Sequence, residues 1–271
     1  MVIFPNSKIN LGLNVVGKRN DGYHDIETVF FPVVHLKDAL ELMEKEKLEF
    51  STSGLSIEGE AEKNLCIKAY NLLKKDFPQL PAVQMHIHKA IPMGAGLGGG
   101  SADGAFTLKL LNKKFDLSLS EEQLINYSLQ LGSDCPFFIL NKPCFATSRG
   151  ELLEPTELGL SEYKFLIVQP PVHISTAWAF STIKPLKPVK SIKQIIQQSI
   201  STWKYELIND FEKPVFSKYP EIKKIKDDLY NEGAIYASMS GSGSAVYGIF
   251  NSKEAFSFSF PKSYFVKEVN V

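Results

Sequence analysis

Residues 92–103 read Pro92-Met93-Gly94-Ala95-Gly96-Leu97-Gly98-Gly99-Gly100-Ser101-Ala102-Asp103, with five glycines among seven positions. They follow a strand-like run at residues 83–91 and precede an alanine-, leucine- and phenylalanine-rich run at residues 102–111 that reads as a largely buried helix. Without Cβ atoms the backbone reaches φ > 0 and turns its N–H groups toward an anion, while the following helix adds the positive end of its dipole. A nucleotide phosphate suits such a cradle. A Walker loop would close on Gly-Lys-Ser/Thr, whereas Gly100 is followed by Ser101 and Ala102. Gly94, Gly96 and Gly99 satisfy G-x-G-x-x-G, and Asp116 stands at a ribose-binding distance downstream. However, Pro92 and Met93 separate the strand from the first glycine, and Asp116 lies in a polar stretch rather than at the end of a second strand, so this match is a decoy. A glycine-rich linker would not sit between two strongly patterned segments.

Upstream, residues 8–16 alternate Lys8, Asn10, Gly12 and Asn14 against Ile9, Leu11, Leu13 and Val15, the period of a half-buried strand whose polar members share one face. The turn cluster at residues 17–22 leads to a second strand at residues 26–31, and residues 40–50 and 55–57 predict further antiparallel strands. Helices are predicted at residues 64–75, with Asn64 at the start, and from Ser120, a cap-like serine before an acidic first turn, to Leu131. Ser133-Asp134-Cys135-Pro136 then punctuates the chain. Residues 145–150 mark a boundary, placed near residue 152, before a strand at residues 163–168. Beyond it, helices are predicted near residues 176–182, 195–203 and 221–231, strands at residues 235–239 and 245–250, and a surface segment at residues 184–193. The last two strands flank a second glycine-rich segment, Met239-Ser240-Gly241-Ser242-Gly243-Ser244, which either closes a phosphate site through Gly241 and Ser242 or is a flexible hairpin.

At 271 residues the chain can bury a large core, and its 44% hydrophobic and 22% charged composition is that of a globular protein. Thirty basic residues balance thirty acidic ones, so no overall field draws in nucleic acid or a membrane surface, and any anion must be held locally. Cys66, Cys135 and Cys144 lack metal-site or disulfide spacing and suit reduced thiols in a cytoplasm. No basic region leads into an apolar stretch at the N-terminus, and runs such as residues 29–34 are too short to span a bilayer, so a soluble, unprocessed protein is expected.

Lys8 within Pro5-Asn6-Ser7-Lys8-Ile9-Asn10-Leu11, the loop of residues 92–102, and the segment of residues 239–244 resemble, in order and spacing, the three motifs of the GHMP kinase superfamily, which includes galactokinase, homoserine kinase, mevalonate kinase and phosphomevalonate kinase. The resemblance spans nearly the whole chain. Residues 17–30, with Tyr23-His24-Asp25, and residues 131–138, with Gly132-Ser133-Asp134-Cys135-Pro136, are similar to the branch that phosphorylates 4-diphosphocytidyl-2-C-methyl-D-erythritol. The resemblance implies an α+β fold of two domains, with mixed or antiparallel sheets, helices, and an active site in the cleft between domains. Residues 1–152 would bind ATP and carry the catalysis, and residues 153–271 would contribute to substrate binding.

It further implies ATP as co-substrate with Mg²⁺, transfer to the 2-hydroxyl of that small molecule, and a chain that is a monomer or weak homodimer without nucleic-acid or membrane partners. A tertiary alcohol is a weak nucleophile, and the family's catalytic pair maps onto Asp134, to take or orient the hydroxyl proton, and Lys8, to keep that carboxylate ionised and screen the transferring charge. Taken singly, Asp134 reads as a turn aspartate and Lys8 as a solvated strand lysine. Pro92, Met93, Gly94, Ala95, Gly96, Leu97, Gly98, Gly99, Gly100, Ser101 and Ala102 would hold the phosphates, with Asn64 and Lys89 on the adenine side. Tyr23 and His24 would hold the cytosine, with Phe180 completing the aromatic sandwich and Thr176 beside it, although Phe180 also reads as a core aromatic. Asn10, two residues beyond Lys8 on the same strand face, is a substrate contact in this reading.

His86 and His88 form an H-x-H pair, but solvent-facing strand histidines account for it without a third metal ligand, and no metal site is expected. Cys135, with no histidine placed to activate it, reads as packing. A kinase for another acceptor, a non-catalytic nucleotide-binding module and a nicotinamide oxidoreductase are the rival functions.

Overall fold

The computed structural model describes residues 1–56, 61–254 and 258–270. The chain begins with β1 (Val2–Ile3), β2 (Asn6–Lys18), β3 (His24–Lys37), β4 (Ala39–Glu44), β5 (Glu49–Gly54), α1 (Leu65–Asp76), β6 (Val83–Lys89), α2 (Gly99–Lys114), α3 (Glu121–Leu131) and α4 (Cys135–Leu140). It continues through β7 (Cys144–Thr147), β8 (Leu152–Pro155), β9 (Tyr163–Gln169), α5 (Thr176–Ser181), α6 (Ile192–Ile195), α7 (Ile200–Glu206), α8 (Glu212–Lys218), α9 (Pro220–Asn231), β10 (Tyr236–Met239), β11 (Val246–Asn251) and β12 (Phe265–Asn270). Among the described residues, no helix is long and apolar enough to cross a membrane.

Two compact units interleave along the sequence. One comprises Met1–Ser7, Leu36–Met93 and Gly98–Lys142; the other comprises Lys8–His35, Gly94–Leu97 and Pro143–Val271. The division expected near residue 152 cuts the chain once, whereas these units exchange the chain repeatedly.

In the first unit a sheet of order β1-β4-β6-β5 carries helices α1 to α4. β4 and β6 are antiparallel, but β5 runs parallel to β6, because the intervening α1 provides the crossover that parallel pairing needs. The antiparallel expectation for residues 40–50 and 55–57 therefore changes: strand pairing breaks at residues 45–48, β5 is parallel, and Ile57 lies outside the described residues. β6 alternates strictly, with Val83, Met85, Ile87 and Lys89 buried. α1 is capped by Asn64, whose side chain accepts from the Cys66 N–H at 2.9 Å. α3 starts with a capping box, Gln123 N–H to Ser120 Oγ at 3.2 Å and Ser120 N–H to Gln123 Oε1 at 2.9 Å.

The second unit contains a sheet of order β2-β3-β7-β8 and an antiparallel sheet of order β10-β11-β9-β12. Leu166, Val168, Phe211, Ile225, Met239 and Val246 belong to its core. β2 is buried on both faces rather than half-buried, with Lys8 only 3% and Asn10 only 1% exposed. The helix expected over residues 195–203 is two short helices, because Ser191 caps α6 with its own capping box and α7 starts afresh after Ser199. Residues 145–150, read as a boundary, belong largely to the β7–β8 hairpin, whose turn holds Ser148 at φ 59° and Gly150 at φ 105°.

Candidate active site

In the second unit the middle of the glycine loop is fastened on both sides. The Lys8 N–H donates to the Leu97 carbonyl at 2.9 Å, the Ala245 N–H to the Ala95 carbonyl at 3.1 Å, and the Ser240 hydroxyl to the Gly96 carbonyl at 2.8 Å. Gly96 has φ 80°, and a Cβ there would lie 2.0 Å from the Ser240 carbonyl oxygen, so this close approach requires glycine. The second glycine-rich segment is thus the wall on which the first loop rests. It is itself pinned by Asn209, whose Nδ2 donates to the Met239 and Gly241 carbonyls at 2.7 and 2.9 Å. Ser242 Oγ lies 3.3 Å from Thr176 Oγ1 at the start of α5.

Lys8 is part of the same construction. Its buried ammonium donates to Asn10 Oδ1 at 2.5 Å and lies 4.7 Å from the centre of the Phe30 ring. Asn10 in turn donates from Nδ2 to Thr28 Oγ1 at 3.0 Å, and Thr28 donates to the Gly12 carbonyl at 2.6 Å. Asn10, expected as a substrate contact, orients the lysine in this structure. Thr28 carries no motif signal of its own.

Of the three aromatic residues expected around the cytosine, His24 stacks on Phe180, with ring centres 4.9 Å apart at 19°, and Phe180 meets Phe211 edge-on. Burial, then the Lys18 charge, holds the His24 imidazole below its ordinary value. Tyr23 is exposed, with the Arg149 guanidinium 5.0 Å from its ring centre. His173, which sequence reasoning passed over, stands beside the first glycine: a Cβ on Gly94 would lie 3.2 Å from its Nδ1. Lys184, Leu186, Pro188, Val189 and Lys190 line an open cavity of about 1010 Å³, together with Asn14 and Asp210. Asp210 accepts from the Val15 N–H at 2.8 Å, and burial pushes its carboxyl up.

In the first unit α2 starts at Gly99, and Gly98 stands before it with φ 72°. Gly94 and Gly96 also have positive φ, a backbone state that favours glycine. Asp134 directly precedes α4, and its side chain does not cap that helix. Burial, reinforced by Asp134, pushes the Cys135 thiol up to about 12, so it stays protonated and packs. Asn64 spends its carbonyl on the α1 cap.

The resemblance puts Lys89 on the adenine side, and its side chain calls for a correction. Lys89 shares the inward parity of Val83, Met85 and Ile87, and its ammonium is fully buried, donating to Asp38 Oδ2 and, at 2.7 Å, to Asp103 Oδ2. That ammonium offers a nucleotide no surface. His86 and His88 point the other way, into a ladder with Ser51 and Ser53 at 2.8 to 3.0 Å.

Two family models match this chain: the GHMP kinases N terminal domain over residues 64–142 and the GHMP kinases C terminal over residues 188–258. Together with the fastened glycine loop, they define a small-molecule kinase of the GHMP class. A 4-diphosphocytidyl-2-C-methyl-D-erythritol kinase of Bacteroides fragilis is 54% identical over 258 residues, 94% of this chain and 93% of the relative, and one of Parabacteroides distasonis is 50% identical over 250 residues, 92% of each. A crystal structure of 4-(cytidine 5'-diphospho)-2C-methyl-D-erythritol kinase superposes with a TM-score of 0.78 at 30% identity, covering 92% of this chain and 89% of that one. The chain belongs to the 4-diphosphocytidyl-2-C-methyl-D-erythritol kinase family of GHMP kinases.

Proposed function

We propose that this chain transfers the γ-phosphoryl group of ATP to the 2-hydroxyl of 4-diphosphocytidyl-2-C-methyl-D-erythritol, in the cytoplasm, as a step toward isoprenoid precursors. The observation that supports it most is Lys8. A buried ammonium oriented by Asn10 sits on the strand whose own backbone holds the glycine loop at Leu97. A cation in that position screens charge as it builds on the transferred group, in a dry environment where such an interaction is strong.

Asp134 takes the complementary role. It orients the acceptor hydroxyl and receives its proton as the bond to phosphorus forms and the bond to the ADP oxygen breaks. The transition state of phosphoryl transfer is loose, so orientation counts for more than basicity. The loop N–H groups of residues 94–100 hold the phosphates, His24 and Phe180 hold the cytosine with Tyr23 at the edge, and Thr176, Gly241 and Ser242 close the site. A magnesium ion, when bound with the nucleotide, would neutralise phosphate oxygens.

The test is coupled ADP release with 4-diphosphocytidyl-methylerythritol beside mevalonate, homoserine and galactose, repeated with Lys8→Ala and Asp134→Asn. Turnover confined to the cytidine compound and reduced at least about a hundredfold in both variants, with ATP affinity nearly unchanged, is expected. Equal turnover in the variants would remove both residues from the chemistry.

A further inference from the structure

The buried cluster of Asp38, Lys89 and Asp103 is unexplained by packing alone. Burying a lysine costs several kcal/mol unless it is well paired, and a buried ion cluster is often no more stable than apolar residues of the same volume. Here two carboxylates face one ammonium, and all three side chains are within a few per cent of complete burial. One oxygen, Asp103 Oδ1, is buried with no hydrogen-bond partner among the described residues. A core seeking only stability has simpler solutions.

The positions of the three residues suggest another use. Asp38 occupies the single-residue break between β3 and β4, and its Oδ1 accepts from two consecutive backbone N–H groups, Ala90 at 2.6 Å and Ile91 at 2.9 Å. Those amides lie where β6 ends and the chain sets out for Pro92 and the glycines. Asp103 lies in the second turn of α2, the helix on which the loop ends. Lys89 bridges the two carboxylates. Gly99 lies directly over it: a Cβ there would be 3.4 Å from Lys89 Nζ and 3.0 Å from Ile91 Cγ2. The strand that leads into the loop and the helix that leads out are thus tied through one ammonium.

We propose that Asp38, Lys89 and Asp103 are positioning residues for nucleotide binding, which fix the separation of Ile91 and Gly99 and through it the anion-binding curl of the loop they bracket. This rests on the reading that the loop holds the phosphates of ATP. None of the three side chains touches the nucleotide. Their effect is on the geometry of the backbone that does, and a loop held in its bound shape binds without the cost of ordering. Burial pushes the Asp103 carboxyl up to about 8 against the pull of Lys89, which is compatible with a shared proton that leaves the cluster neutral.

Calorimetric titration with Mg-ATP, together with the KM for ATP and for the acceptor, tests this in wild type, Asp38→Asn, Lys89→Arg and Asp103→Asn. Asp38→Asn turns an amide toward the ammonium, and Lys89→Arg keeps the charge but shifts the donors. Both are expected to weaken ATP binding by about tenfold, the range of coupling between separated sites, with acceptor KM changed less than about twofold. Asp103→Asn, the shape of a protonated carboxyl, is expected to stay within about threefold of wild type. A purely structural role would lower the melting temperature and leave ATP affinity of the folded variants unchanged, and that result overturns the proposal. Where neither Asp38→Asn nor Lys89→Arg folds, hydrogen exchange in wild type decides: ATP must slow exchange at Ala90 and Ile91, and unaltered protection there overturns the proposal equally. A wild-type protein that fails to bind ATP counts instead against the nucleotide reading itself.

Discussion

Lys8 and Asn10 stand two residues apart on one strand, and the ammonium of the first is held by the amide oxygen of the second at 2.5 Å. The pairing leaves the lysine charge uncompensated by Asn10, because an amide orients a cation without neutralising it. Asn10→Asp would put a carboxylate in the same place. Turnover is expected to fall by about a hundredfold with little change in KM for ATP, since the positive charge matters most in the transition state. Steady-state kinetics of that variant beside Asn10→Ala separate lost charge from lost orientation. If Asn10→Asp matched wild type, the Lys8 charge would be irrelevant to the reaction.

Gly96 is the tightest point of the loop. With φ 80° and a hypothetical Cβ 2.0 Å from the Ser240 carbonyl oxygen, Gly96→Ala must separate the two glycine-rich segments. A loss of at least about 2 kcal/mol in unfolding free energy is expected, combining backbone strain with the displaced contacts. Urea denaturation measures it. Gly22, with φ 86° and nothing within 4 Å of its Cβ position, is the control for the backbone effect alone.

Asp103 gives a pH signature. Its folded carboxyl, raised by burial to about 8 from 3.8, keeps a proton that the unfolded chain has already released. The folded state therefore binds more protons across that window, and this group's contribution to stability falls as pH rises from the lower value to the higher and is level beyond it. Asparagine has no such proton. The melting temperature of Asp103→Asn should gain on wild type between about pH 5 and pH 8, then hold a constant difference. A difference independent of pH would place the Asp103 titration in its ordinary range.

Ser7 is fully buried, and its hydroxyl has no hydrogen-bond partner among the described residues. A buried hydroxyl left unsatisfied costs about 1–3 kcal/mol, so Ser7→Ala is expected to be neutral or stabilising by about 1 kcal/mol. Thermal unfolding tests this, and marked destabilisation would reveal an unseen partner for the hydroxyl.

Much of this was legible before any coordinates. The strand at residues 8–16, the helix that starts at Asn64, the Ser120 cap and the loop between strand and helix are local signals, and the structure has each of these elements there. What escaped depended on partners distant in sequence. β7 and β8 have four residues each, too few to show a period, and exist because β7 pairs with β3 more than a hundred residues earlier. The burial of both β2 faces likewise comes from elements outside that strand. The inward parity of Lys89 with Val83, Met85 and Ile87 is legible in the sequence, but its carboxylate partners, 51 and 14 residues away, are not. Asp38 had no signal, because an aspartate in a one-residue break between strands looks like any turn aspartate.

The interleaving of the two compact units imposes an order of assembly during translation. The segments that make up the first unit have all been synthesised once Lys142 has left the ribosome. β2 and β3 precede residue 38 yet belong largely to the other unit, whose remaining strands all follow residue 142. They must stay unpaired with those later strands while the intervening residues are made, a long-range closure that slows folding and leaves strand edges open to wrong neighbours. A nascent chain stalled just after residue 142 has cleared the ribosome would carry one finished unit and two waiting strands.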